Sequence, residues 1–310
     1  MPYVNKFIAI ASSQKAYEIL INLGFKMREA QRLIDKGRLL CDGTVVSEKN
    51  AVLSGEICLI DYETNSRGLS PIFECDEFAV FDKPSGVLSH PNGRRCEYSL
   101  NDEIWHLYGR EAAVTHRLDR ETSGLIVVSK NSAAQKELKA MFESRAVKKR
   151  YVALARGKIC EPFVVNAKMD LASDYDDVKM RMQICEDGKV AVTEFEPMEY
   201  FADIDATLVR AVPLTGRQHQ IRLHLFHVKH TIVGEPLYGL AKEQIIKILD
   251  GEMSETERVN LTGASRLLLH ADEIEFKFRE QNSHIKSEFN ARDEFYRLAK
   301  IKFEFEAKNI

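Results

Sequence analysis

An α+β protein of two domains is what the sequence predicts, and three observations predict it. The chain has 310 residues, about twice the roughly 150 of an ordinary domain. A polar stretch from Glu63 to Ser70, with Gly68 ahead of Pro71, separates two segments of different texture. Beyond it, short apolar strands and amphipathic helices mix without the regular alternation of βαβ units.

The composition bounds the function. Hydrophobic residues at 45% and charged residues at 29% exclude a wholly disordered or fibrous chain. No uncharged apolar run approaches the roughly 18 residues that span a bilayer. Met1 to Ile10 lacks the length and the small-residue cleavage site of a secretory signal. None of the six cysteines forms a C-x-x-C pair, so they read as reduced thiols of a cytoplasmic protein.

The elements follow in order. Apolar residues at helical spacing, Phe7, Ile8, Ile10 and Ala11, predict a first helix over Phe7 to Leu23. Ala30, Leu33 and Ile34 predict a second over Met27 to Lys36, with Gly37 as its stop. Asp42-Gly43 between Arg38–Cys41 and Thr44–Val46 is a hairpin signal, and Ile57 to Ile60 closes the unit as a strand. Downstream strands are expected at Phe78–Phe81, Leu125–Ser129, Tyr151–Arg156, Glu194–Tyr200, Thr207–Val212 and Leu267–Leu269. Helices are expected at Leu100–Tyr108 and Ala133–Phe142.

The net charge of −3 hides segregation. Lys139 to Lys158 carries +6, Ala206 to Gly234 carries +4 and Lys26 to Arg38 carries +3, leaving −16 for the rest. Such a chain can present a basic face to a polyanion and stay soluble. The most unusual segment, His116 to Gly124, has seven polar or charged residues in nine and runs straight into the apolar strand Leu125 to Val128. Loops on the end of a buried strand commonly carry catalytic groups. Its carboxylate Asp119 lies between Arg117 and Arg120, cations that favour the ionised form. Seen alone, such a stretch is more often a salt-bridged surface loop.

The motifs occur together, however, and in an order that resembles the pseudouridine synthases of the RluA type, in particular their RluC- and RluD-like members. Phe81-Asp82-Lys83-Pro84-Ser85-Gly86-Val87-Leu88 comes first. His116-Arg-Leu-Asp-Arg-Glu-Thr-Ser-Gly-Leu125 follows, then Lys149-Arg150-Tyr151-Val152-Ala153. Leu214 to His224, Ile232 to Gly239 and Arg266 to Ala271 complete the series. The amino-terminal unit resembles the small RNA-binding domain of the ribosomal small-subunit protein four type, though it lacks the usual Arg-Leu-Asp opening of the first helix.

The resemblance implies a mixed, mostly antiparallel central sheet flanked by helices, with a small amino-terminal αβ RNA-binding domain at residues 1–62, a linker at 63–71 and a catalytic domain at 72–310. It implies isomerisation of uridine to pseudouridine in RNA. The sugar–N1 bond breaks, the flipped base rotates, and the sugar rejoins at C5; glycal formation and ring addition stay open as routes. Asp119 is implied as the catalytic carboxylate, Tyr151 as the ring packed under the base and Arg222 as the cation paired with Asp119. RNA contacts are expected from Arg117, which would fill the vacated stack, and from His116, Arg120, Lys148, Lys149, Arg217, His219 and Gln220. Arg28, Arg32 and Lys36 would add phosphate contacts from the amino-terminal unit. No cofactor, metal or obligatory protein partner is implied, and the chain is expected to act as a monomer.

Large-subunit ribosomal RNA is the expected target, because the appended amino-terminal unit is one that tRNA-acting members often lack; tRNA is the alternative. Two rivals stand beside this reading. His219, His224, His227 and His230 fall within twelve residues and could hold zinc or nickel in a metal-dependent nuclease. A non-catalytic RNA-binding assembly factor would use the amino-terminal unit alone, and leaves His116 to Gly124 unexplained.

Overall fold

The computed structural model describes residues 3–92, 96–172 and 181–307. Two compact units divide the chain: Met1–Arg67 with Pro91–His106, and Gly68–His90 with Leu107–Ile310. The described residues of 91–106 thus pack with the amino-terminal segment, although they lie inside the 72–310 span expected for one domain.

The first unit opens with strand β1 (Tyr3–Lys15), followed by α1 (Ala16–Asn22), α2 (Met27–Asp35), β2 (Leu39–Cys41), β3 (Thr44–Val45) and β4 (Val52–Tyr62). The sheet order is β1-β4-β2-β3. The expected first helix is therefore mostly strand, and only its last turns are helical. Register shifts between Phe7 and Ala9 and between Ala11 and Gln14 mark irregularities in the β1–β4 ladder. Such bulges break a strand's strict alternation and leave apolar residues at a spacing that mimics a helix. The expected hairpin is present, with Asp42 at φ 46° and Gly43 at φ 77°, the left-handed pair of a two-residue turn.

The segment Glu63–Ser70 has no regular structure, yet its first half is fastened. Asp102, on a helix described below, accepts from Asn65 N at 3.0 Å and from the Tyr62 hydroxyl at 2.7 Å. Its neighbour Glu103 accepts from Arg67 N at 2.6 Å and the Ser66 hydroxyl at 2.5 Å. Two buried carboxylates are thereby satisfied by hydrogen bonds, as burial demands.

The remaining elements are β5 (Phe73–Glu74), β6 (Phe78–Lys83), α3 (Leu100–Tyr108), β7 (Ala113–Val114), β8 (Ser123–Ser129), α4 (Ser132–Glu143), β9 (Lys148–Arg156), β10 (Phe163–Leu171), β11 (Met182–Ile184), β12 (Lys189–Phe201) and β13 (Ala206–Pro213). After them come α5 (Gln220–His227), α6 (Lys242–Asp250), α7 (Glu255–Thr262), β14 (Leu269–Phe278), β15 (Gln281–Lys286) and α8 (Ala291–Ala307). Among the described residues eleven strands form one sheet, ordered β11-β10-β12-β13-β9-β14-β8-β6-β5, with β15 beside β14 and β7 beside β8. All its pairings are antiparallel except β14 with β8. This is the mixed, mostly antiparallel sheet with flanking helices that the sequence led us to expect.

The strand expected at Leu267–Leu269 instead begins at Leu269. Leu267 and Leu268 are fully buried, but Leu268 spends its backbone on Leu154 and Val233. All of β8 is buried, which is why it reads as one apolar run. Phe78, Val80, Leu125, Val127, Phe276 and Phe278 form a core under Ala134 and Leu138 of α4. A second cluster, Met169, Ala191, Leu223, Leu237, Tyr238 and Ile245, seats α5 and α6 on β10 and β12. No helix among the described residues is long and apolar enough to cross a membrane.

Candidate active site

The loop ahead of β8 is shaped from beneath by the segment after β6. Lys83, fully buried, donates to the carbonyls of Val87 at 2.7 Å, Pro84 at 2.9 Å and Arg120 at 3.3 Å. Gly86 N bonds Arg120 O at 2.8 Å, and the Ser85 hydroxyl bonds Glu121 O at 2.6 Å. The Ser89 hydroxyl donates to Leu118 O at 3.0 Å and accepts from Leu118 N at 3.2 Å. Burial pulls the Lys83 ammonium down to about 7, against the opposing pull of Asp119, Glu121 and Asp82. The Lys-Pro-Ser-Gly stretch is thus a cradle for residues 118–121.

The loop leaves the cradle at Gly124, φ 111°. A β-carbon there would lie 2.3 Å from Ala271 O, because β8 and β14 run in parallel register at Gly124 and Ala271. Only glycine permits that approach. The loop is held further to helix α7 by Arg258, whose Nη2 donates to Glu121 at 2.6 Å.

Asp119 meets Arg222 at the top of this loop. Arg222 Nη1 donates to Asp119 Oδ2 at 3.0 Å. Its Nε and Nη2 donate to Glu235 Oε2 at 2.9 Å and Oε1 at 2.6 Å, a two-pronged grip. Arg222 and Glu235 neutralise each other, so Asp119 carries the surplus negative charge. Burial pushes the Asp119 carboxyl up, but His219, Arg222 and Lys83 outweigh it and hold the group below the ordinary carboxylate range. Asp119 stays 27% exposed at its side chain, while Arg222 and Glu235 are 3% and 2% exposed. One reachable carboxylate on a rigid buried support is the arrangement a nucleophile requires.

His219 stands beside it, Nε2 3.7 Å from Asp119 Oδ2, and its Nδ1 lies 3.1 Å from the Tyr238 hydroxyl. Burial and Arg222 pull its imidazole down to about 4, against Asp119 and Glu235, so the ring is neutral at neutral pH. Tyr151 on β9 is 9% exposed. Burial, and then the Asp119 charge, push its hydroxyl upward. The flanking Lys148, Lys149 and Arg150 therefore do not make it a base at neutral pH.

Other residues nominated from sequence scatter. Arg117, Arg120 and Lys148 are exposed, while Lys149 and Arg217 are half-buried. Arg120 Nε reaches Gly86 O at 3.1 Å, and Lys148 pairs with Glu275 at 3.3 Å. Lys149 has no acidic partner among the described residues. His116 is spent inside: its Nε2 accepts from Val127 N at 3.0 Å, and its ring stacks on Phe142 at 4.2 Å. Burial pulls it down to about 3, which fits an acceptor that stays neutral. Gln220 is likewise saturated inside, by Thr215, Arg217 N, Val192 O and Thr193.

The four clustered histidines separate. His224 Nδ1 meets Thr193 at 2.9 Å, and His230 Nδ1 meets Arg156 O at 2.8 Å. Among the described residues no three His, Cys, Asp or Glu side chains are gathered to hold a metal. The sequence reading did not single out Lys83, Glu235 or Tyr238, although all three lie in the quoted motifs. The partners that tie them to the site, Arg120, Arg222 and His219, lie thirteen to thirty-seven residues away, and no local spacing announces them.

The fold and the pair formed by Asp119, in the loop before β8, and Arg222, on α5, can now be set beside known proteins. The sequence profile of RNA pseudouridylate synthases matches residues 77–227. An uncharacterized RNA pseudouridine synthase of Helicobacter pylori strain J99 is 38% identical over 289 residues, covering 93% of this chain and 96% of that protein. The ribosomal large subunit pseudouridine synthase D of Pseudomonas aeruginosa is 32% identical over 219 residues, covering 66% and 67%. The tRNA pseudouridine(31) synthase of Saccharomyces cerevisiae is 29% identical over 286 residues, covering 76% and 70%. Among solved structures, human RNA pseudouridylate synthase domain containing 1 shares the fold with a TM-score of 0.58 at 24% identity, covering 73% of this chain and 86% of that one. The chain belongs to the RNA pseudouridine synthases, and within them to the RluA type.

Proposed function

We propose that this chain isomerises specific uridines of large-subunit ribosomal RNA, with Asp119 as the catalytic carboxylate. The observation that carries the reading is the Asp119–Arg222–Glu235 chain, in which a buried ion pair holds one partly exposed carboxylate. The target uridine leaves its stack to reach Asp119, and the few kcal/mol this costs are offset by stacking and hydrogen bonds in the pocket. Asp119, ionised at neutral pH, acts covalently on sugar or base while the N1 bond breaks and C5 is joined. Tyr151 supplies the ring face under the base. Its raised hydroxyl argues against its taking the C5 proton unaided. Arg117, exposed on the loop, fills the vacated stack.

Lys148, Lys149, Arg120 and Arg217 contact phosphates of the bound RNA. The amino-terminal unit, read as a ribosomal-protein-four-type RNA-binding domain, adds Arg28, Arg32 and Lys36 from α2. The helix pair, hairpin and strand β4 support that reading; the strand β1 ahead of them is an addition to it. That unit, together with the similarity to the Pseudomonas aeruginosa enzyme, favours ribosomal RNA over tRNA. The test is tritium release from C5-labelled uridine, using purified protein with large-subunit RNA and with tRNA. Release from the ribosomal transcript is expected. Release from tRNA alone would overturn the target, and release from neither would overturn the activity.

A further inference from the structure

The two oxygens of Asp119 have unlike surroundings. Oδ2 receives Arg222 Nη1 at 3.0 Å and faces His219 Nε2 at 3.7 Å. No described group bonds Oδ1. Oδ2 is therefore engaged by protein, and Oδ1 is the oxygen with bonding capacity left on a side chain that is 27% exposed.

The hydrogen on His219 can be placed from its neighbours. Met182 N donates to the Tyr238 oxygen at 3.2 Å. That oxygen lies 3.1 Å from His219 Nδ1. A phenol that already accepts there gives its own hydrogen to Nδ1, and burial, pushing the hydroxyl upward, keeps that hydrogen in place. Nδ1 is then the acceptor, and the neutral ring carries its hydrogen on Nε2, facing Asp119. The resting 3.7 Å is a dipole aimed at the carboxylate; catalytic contacts of this kind tighten once substrate is bound.

The backbone gives a second sign. His219 sits in the left-handed region, φ 55°, at the N-cap of α5, and its side chain makes no capping bond. Histidine there carries backbone strain without doing a cap's work. What the position obtains is the imidazole, 2% exposed, between Tyr238 and Asp119.

We propose that His219, oriented by Tyr238, is a positioning residue that holds Oδ2 of Asp119 and leaves Oδ1 as the oxygen presented to the uridine. The inference rests on Asp119 being the catalytic carboxylate. It differs from an RNA contact at His219, which would act on binding.

Single-turnover rates and RNA affinity test it in four variants. His219→Leu should lower the rate at saturating enzyme at least tenfold with RNA affinity within twofold. His219→Gln, whose amide can accept from Tyr238 and donate to Asp119, should recover most of that rate. Tyr238→Phe should slow the native enzyme and add nothing in the His219→Leu background, as expected for two residues acting through one chain. Native rates in His219→Leu, lost affinity with an unchanged rate, or additive losses in the double variant would overturn the proposal. If His219→Leu does not fold, Tyr238→Phe at the native rate overturns it alone. Asp119→Asn is the control. Activity in Asp119→Asn would sink the underlying reading, whereas an inactive Asp119→Asn beside native His219 variants would sink this inference only.

Discussion

Glu235 is buried, 2% exposed at its side chain, yet the site depends on it. Removing it leaves the Arg222 guanidinium buried with Asp119 as its one acidic partner. Breaking a buried pair in this way costs roughly 3–5 kcal/mol. We predict that Glu235→Ala lowers the thermal midpoint clearly and slows turnover even where the protein remains folded. A native midpoint in a melt would contradict the buried geometry. Asp119 carries a pH signature. Its folded carboxyl is depressed, so its contribution to stability is present above its unfolded value of about 3.9 and lost as pH falls through the folded one. The melting difference between native protein and Asp119→Asn should hold steady from neutral pH down to about 5 and shrink below about 4. A difference that grows on acidification would mean that Asp119 is held neutral in the fold.

The glycine at 234 sets where Glu235 can stand. Its φ is 81°, and a β-carbon would fall 1.8 Å from Arg266 O. We predict that Gly234→Ala destabilises by about 3 kcal/mol or more, measured by urea unfolding, since backbone must move to admit it. Elements of this kind were unevenly legible in the sequence. The buried strand β8 and helices α3 and α4 declared themselves through continuous or periodic apolar residues. The amino-terminal strand did not, because its bulges forged a helical spacing. Helix α7 could have been found: Ser254 and Glu257 form a reciprocal capping box, a signal written as S-x-x-E. The site divided similarly. Asp119, Arg222 and Tyr151 were legible because motifs carried them, and the structure brings Asp119 and Arg222 into contact. The inward roles of His116 and Gln220 were not, since burial depends on strands that meet them from elsewhere in the chain. Nor was the grip of Glu235 on Arg222, which closes across thirteen residues.

For the molecule as a whole, the chemistry lies in the large unit, and the small one adds affinity without taking part in it. Replacing Arg28, Arg32 and Lys36 with Ala should raise KM and spare saturated turnover, as loss of uniform binding does. Three lost phosphate contacts should flatten the salt dependence of binding by about two units of slope, at −0.7 per contact on single strands. An unchanged KM at two ionic strengths would show that the small unit does not touch this substrate. A chelator that strips zinc enzymes should leave the rate unaltered, and a loss restored by zinc would revive the histidine-cluster reading. The central claim is that Asp119 performs the bond-making, and the most direct measurement is pseudouridine yield from Asp119→Asn under single-turnover conditions, with RNA binding measured alongside. The account predicts native RNA affinity and no detectable pseudouridine. Product formed at more than a small fraction of the native rate, by protein that binds normally, would contradict it.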